Sequence, residues 1–303
     1  MVRSIGQLGK LQIGRETVYG VPATTWRYFG KATRFKPEHN PNYSFLDPSC
    51  SRERSDGYVT KTDYGFTSEC KFTSQGILSD DINYVISGEP FSAFVKCAGK
   101  QTIDDIESEY CGLTGCVLDT MTIKSASIAT AITFDMTVMA KYATIKNART
   151  ASSIEGVTFA PSALACADGI PYTDGGNAII TIDGVDEQIT FDSWTINIKN
   201  NAERRPAYVA DSEDNMIALS AGAGIICGLM NIEVSISQMS INSIWDLRKL
   251  GNTVATTLVL PLNNGASITF EDLYFSGDNL TEFQSASTYK EDIVFNAKNI
   301  VIA

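Results

Sequence analysis

Histidine is nearly missing from this chain: His39 is the single one in 303 residues. Without a second histidine, a serine or cysteine nucleophile lacks its ordinary base partner, and common zinc sites lack their ligands. His39 lies between Glu38 and Asn40 in a polar stretch and reads as a solvated loop residue. Long apolar runs are also lacking. None approaches the ~18 residues of a membrane span, and the longest candidates, such as Ile225 to Met230, are strand-sized and interrupted by Gly228. A soluble protein with no membrane partner is expected. Met1 to Gly14 contains Arg3 and Lys10 but no continuous apolar core, so no cleaved secretion signal is expected either. The phosphate-cradling patterns GxGxxG and GxxxxGK followed by Ser or Thr do not occur.

What could stand in for that missing chemistry is thin. The seven cysteines, at positions 50, 70, 97, 111, 116, 166 and 227, are odd in number. With no secretion signal they read as reduced thiols, mostly small buried apolar residues. Cys111 and Cys116 lie close together, but no matching Cys or His pair elsewhere completes a zinc site. Paired carboxylates occur at Asp80-Asp81 and Asp104-Asp105. Adjacent side chains normally point apart, which is poor geometry for an acid and base acting on one bond. Asp183-Gly184-Val185-Asp186-Glu187 is too short of ligands for calcium, and a hairpin turn explains it. No catalytic, cofactor or metal residues are assigned, and no enzyme is expected.

Cations are scarce in one half only. Residues 1–150 hold 17 Lys and Arg against 16 Asp and Glu, whereas residues 151–303 hold 7 against 19. The net charge of -11 therefore falls on the second half. That argues against the basic footprint of a nucleic-acid binder.

What the chain does have is alternation, in two copies. The run Ile132, Phe134, Met136, Val138, Ala140 has period 2, and Ile293, Phe295, Ala297, then Ile300 and Ile302 match it near the carboxyl end. A Trp-led strand opens each half, at Trp26 and Trp194. A helix is expected to begin at Ser79-Asp80-Asp81, with Ile82, Val85 and Ile86 on one face. A second helical stripe, Phe91, Phe94, Val95 and Ala98, is expected to stop at Gly99, and a helix through Ile241, Ile244, Trp245 and Leu247 to stop at Gly251. Further strands are expected at Tyr64 to Phe72, Val117 to Ile123, Ile179 to Ile182, Gln188 to Lys199 with a bulge between Phe191 and Trp194, Asn231 to Gln238, Thr256 to Leu260 and Ser267 to Phe275. The fold class is mainly β: two tandem β-sandwich or partial-barrel units, each with a flanking short α-helix. The expected boundaries are 1–150 for the first unit, 151–176 for an Ala, Ser, Gly and Pro-rich linker, and 177–303 for the second. Residues 37–61, rich in Pro, Asn, Ser and charge, are expected to form a projecting loop or extended hairpin that reaches a neighbour.

Gly14-Arg15-Glu16-Thr17-Val18-Tyr19-Gly20, Tyr110 to Cys116 before Val117 to Ile123, Asp192 to Asn200, and Gly228 before Asn231 to Ser237 follow one another along the chain. Taken in that order they resemble the tail tube (major tail) proteins of long-tailed bacterial and archaeal viruses. The resemblance implies a barrel-like unit with a flanking helix, repeated around an axis so that strands of all copies close one inner barrel. Rings then stack into a tube through which viral DNA passes without specific binding. It further implies self-assembly into a trimeric pseudo-sixfold ring, or alternatively a hexameric one. Terminator, tape measure and baseplate proteins would be further partners, in a virion tail assembled in the host cytoplasm. Contacts between rings are expected from Arg52, Glu53, Arg54, Asp56 and Tyr58 of the projecting segment. A carbohydrate- or receptor-binding β-sandwich module of a virion or cell surface is the alternative.

Overall fold

The structure is a computed structural model and describes residues 9–46, 55–72, 80–96, 100–101, 106–127, 130–148, 153–154, 157–158, 173, 178–182, 184–205, 207–210, 216–219, 224–239, 257–263, 265–279 and 291–303. The first half contains β1 (Gly9–Arg15), β2 (Arg27–Leu46), β3 (Ser55–Phe72), α1 (Asp80–Ile86), β4 (Phe91–Lys96), β5 (Lys100–Gln101), β6 (Ile106–Ser125), β7 (Thr133–Ala140), β8 (Tyr142–Ala148), β9 (Ser153–Ile154) and β10 (Val157–Thr158). The second contains β11 (Ala178–Ile182), β12 (Val185–Ile189), β13 (Ser193–Lys199), β14 (Glu203–Arg204), β15 (Ala207–Ala210), β16 (Met216–Leu219), β17 (Ile225–Ile226), β18 (Asn231–Met239), β19 (Thr257–Pro261), β20 (Ser267–Asn279) and β21 (Glu291–Ile302). The protein is mainly β, and its largest sheet has fifteen strands.

Alternation decides which side of each strand turns inward. Phe134, Met136, Val138 and Ala140 of β7 are buried and the residues between them are not. Ile232, Val234 and Ile236 on β18 and Ile293 and Phe295 on β21 follow the same rule. Each such side chain contributes about 1.5–3 kcal/mol by leaving water.

Pairing in the first half runs β1 with β2, β2 with β3, β3 with β7, β7 with β6, β6 with β4, and β4 back to β1, all antiparallel. This closes a six-stranded barrel. Its core is aromatic, with the Phe72 and Phe134 rings 4.2 Å apart and Phe29 5.8 and 5.3 Å from them. Gly30 permits that approach, because a Cβ there would lie 2.9 Å from both the Lys71 carbonyl oxygen and Phe134.

In the second half β12 pairs with β11, β11 with β19, β19 with β20, β20 with β21, β21 with β18, and β18 with β13. Because β12 and β13 follow each other in the chain, this is the order of the first half with its second strand divided. β11 takes the place of β1, β12 and β13 together that of β2, and β18, β19, β20 and β21 those of β3, β4, β6 and β7. The region between β18 and β19, where the first half has α1 between β3 and β4, includes the expected helix at 241–251, which lies outside the described residues.

The two halves share one sheet. β13 pairs antiparallel with β6, from Trp194 opposite Ser125 to Lys199 opposite Thr120. One row of directly opposed residues crosses the joint: Phe275, Phe295, Val234, Ile196, Ile123, Phe134, Cys70 and Ala32.

Three local expectations need correction. Phe91 to Val95 form strand β4, not a helix; all five residues are buried, and hydrogen bonds to β1 and β6 on the two edges override the helical spacing. Gln188 to Lys199 is not one bulged strand. It breaks at residues 190–192, so that β12 turns to β11 while β13 turns to β18 and β6. His39 is not in a loop: it lies on β2 opposite Tyr64, exposed, with the two rings stacked 5.2 Å apart.

Candidate assembly interface

The two halves meet at one joint in the large sheet. β6 is central. Its first part pairs with β4 on one edge and β8 on the other, and its later part with β13 on one edge and β7 on the other. β7 and β8 run along the same edge, bridged by the Lys141 amide, which donates to the carbonyl oxygens of Thr114 and Gly115. β4 and β13 therefore share the opposite edge, one after the other.

Polar residues of the second half pin this joint. The Asn200 amide N–H donates to the Asp119 carbonyl at 2.8 Å, and its buried side chain donates to the carbonyls of Ile86 and Leu118 at 2.9 and 3.2 Å. Asp119 accepts in turn from the Ala202 amide at 3.0 Å. Arg204 donates to the carbonyls of Ala140 and Tyr64 at the end of the first barrel, with Asp63 3.5 Å away. Burial pulls the Arg204 pKa below its ordinary value, which the nearby carboxylate of Asp63 partly offsets. Asn83 of α1 clasps the other end, donating to the Ile302 carbonyl at 2.8 Å and accepting from its amide at 3.1 Å. The first half's helix thus closes on the second half's last strand.

The turn before β2 is organised by a buried acid. Glu16 accepts hydrogen bonds from Ser92 Oγ at 2.6 Å, the Gly115 amide at 2.8 Å and the Gly20 amide at 2.6 Å. Burial raises its pKa more than these donors lower it. Beside it, Lys141 Nζ lies 5.2 Å from the centre of the Tyr19 ring, and burial pushes the Tyr19 phenol up to about 12. Asp81, at the start of α1, is held by Arg15 at 2.5 Å and Arg27 at 2.8 Å, and these three residues line a shallow cleft. Its carboxylate is engaged on both oxygens, an arrangement that holds a turn onto a helix. Among the described residues no group of three His, Cys, Asp or Glu side chains could hold a metal ion.

The expected contact residues fall mostly beyond view. Arg52, Glu53 and Arg54 lie outside the described residues. Asp56 and Tyr58 lie on the backbone of β3, where Tyr58 stands opposite Ser44, in the hairpin that β2 and β3 form from Gly30–Phe72 outward to Leu46–Ser55. Glu16, Asn200 and Arg204 had no assigned role in the sequence. Glu16 did fall inside the Gly14 to Gly20 stretch, and a carboxylate flanked by turn glycines was the available signal.

Two edges face no described strand. β2 pairs with β1 only as far as Ala32, so its remaining length on that side is open among the described residues. On β20 the β19 side is paired only through Phe270, leaving Glu271 to Asn279 open likewise.

Comparison with known proteins agrees with a chain built to assemble. No curated protein sequence matches it at a significant level. The family model described as phage tail tube protein matches residues 6–285, nearly the whole sequence. The chain belongs to the phage tail tube protein family, whose members are structural parts of the virion tail and not enzymes.

Proposed function

We propose that this chain builds the tube itself: copies close into rings, rings stack, and the bore conducts viral DNA at ejection. One observation carries the reading. The strand order of the first barrel recurs in the second half, and the two are joined edge to edge through β6 and β13. Like units joined head to tail close into a ring when the rotation permits it. That recurrence supports internal duplication, with units at 1–150 and 177–303 and a linker at 151–176. It favours three chains per ring in a pseudo-sixfold arrangement over six chains per ring. Rings stack through the outer end of the β2–β3 hairpin, with Arg52, Glu53, Arg54, Asp56 and Tyr58 meeting the next ring. Terminator, tape measure and baseplate proteins cap or fill the tube, and assembly takes place in the host cytoplasm. The acidic excess of the second half gives a phosphate polymer nothing to hold if it faces the bore.

Electron microscopy of the purified protein tests this reading. Stacked rings or tubes about 100 Å wide, the order of a few domains around an axis, are expected. Deletion of residues 47–54 is expected to leave rings that do not stack. Compact particles that never form rings would overturn the proposal, and glycan binding by such particles would favour the receptor-binding alternative.

A further inference from the structure

A cleft at the start of β2 and the chain segment beyond its far end carry matching charges. Arg15 ends β1, Arg27 begins β2, and both reach Asp81 of α1 through Nε, at 2.5 and 2.8 Å. Two guanidinium groups carry far more N–H donors than one carboxylate can accept. Their side chains stay 44% and 64% exposed, whereas that of Asp81 is 8% exposed. The acid is engaged inside the fold, and the outer edges of both forks remain for a second carboxylate. Exposed Thr24, Thr25 and Asp80 complete the walls of this cleft, whose volume of about 500 Å³ is that of a ligand-sized site.

β2 runs from Arg27 to Leu46, twenty residues or about 60 Å of strand, and its pairing with β3 reaches Leu46 opposite Ser55. Between those two residues the sequence holds Asp47, Arg52, Glu53 and Arg54. Cleft and tip thus belong to opposite ends of one strand. Each occurs once per chain. In the second half β13 is seven residues long, and its pairing with β18 ends at Lys199 opposite Asn231, so no long hairpin extends from it. Residues 178–192, which replace β1, the turn and the start of β2, contain no Lys or Arg, so the cleft has no counterpart there either.

We infer that this cleft receives the hairpin tip of a copy in the adjacent ring, with Glu53 held by Arg15 and Arg27 and a flanking arginine meeting Asp80. The inference rests on the reading that rings stack through the hairpin, and it names the surface on which the hairpin lands. Charge complementarity carries it. The tip sets a carboxylate between two guanidinium groups in Arg52-Glu53-Arg54, and the cleft presents two guanidinium groups beside an exposed carboxylate. Hydrogen bonds from arginine forks to carboxylates are short, directional and stronger than neutral ones. A contact between unlike ends leaves one free end of each kind after every addition, so a stack built on it has no fixed length.

The number of rings per tube, counted by electron microscopy on the full chain, tests this. E53R and R27E are each expected to lower it at least tenfold, and the double variant R27E/E53R to bring back at least half of the wild-type length. T24E spares the contacts of Asp81 but places a carboxylate of the chain's own in the cleft, and it should shorten tubes to the same degree. It keeps the test open if R27E fails to fold. Single rings of wild-type size and wild-type circular dichroism spectra are expected for E53R and T24E. Wild-type tube length in E53R or in T24E would overturn the inference and leave the tube reading standing. If wild type never stacks into tubes, the tube reading falls as well.

Discussion

The two halves solve one packing problem in opposite ways. In the first barrel the second strand is unbroken, and Gly30 yields space to the Phe29, Phe72 and Phe134 rings. In the second half the residue at the equivalent place is Trp194, fully buried, facing the aliphatic neighbours Ile236 and Ile293 along its row. Its indole N–H donates to Thr173 Oγ1 at 2.7 Å, satisfying the one polar atom it buries. Bulk has moved from the flanking strands to the central one. The strand that bears it breaks at residues 190–192, freeing β13 to reach β6. A break that would weaken an isolated barrel here creates a joint between two.

The strongest test of that comparison removes the indole. W194A should cost about 3–5 kcal/mol, the usual range for a large buried aromatic. Unfolding should begin in the second half, read as faster hydrogen exchange at the amides of β18 and β21 than at those of β3 and β7. A loss below about 1 kcal/mol would mean that Trp194 does not hold the second half together. The reciprocal change, G30V, forces a side chain against the Lys71 carbonyl and the Phe134 ring. About 1–3 kcal/mol of destabilisation is expected by urea denaturation, and a neutral result would show that the aromatic cluster can shift.

The smallest effect concerns the connection before each second strand. The first half uses the turn at residues 16–26 around buried Glu16, whereas the second uses a tight hairpin in which Gly184 adopts φ 79°. Burial raises the Glu16 pKa in the folded state above its ordinary carboxylate value. The folded protein therefore holds that proton more tightly than the unfolded chain does. The resulting stability is fully present below the unfolded-state pKa and is lost as pH rises through the higher folded-state pKa. E16Q should flatten this pH dependence of the urea midpoint, and identical slopes for the two proteins would contradict the assignment.

Strands with one wet face were legible in the sequence. Ile132 to Ala140, Ile232 to Ile236 and Ile293 to Phe295 show their period directly because every second residue meets solvent or polar neighbours. Phe91 to Val95 were not legible, since a strand covered on both faces has no alternation and its apolar spacing also fits a helix. The slip between Phe191 and Trp194 was visible, but a bulge and a strand break leave the same trace in one sequence. The joint of β13 with β6 was the least legible, because which strands become neighbours is a property of the fold that no residue type announces. Asn200 closes the Asp192 to Asn200 stretch and Arg204 lies in no motif, but the importance of both comes from carbonyls that only the folded chain brings within reach.

A last consequence follows from β6. Five other described strands, β4, β5, β7, β8 and β13, are laddered to its twenty residues. A flexible tether would let the halves swivel, but here a twist of one against the other must break the ladder of backbone hydrogen bonds between β13 and β6. The two halves are thus laddered into one continuous sheet with no hinge strand between them, and a load applied to either is passed on through β6.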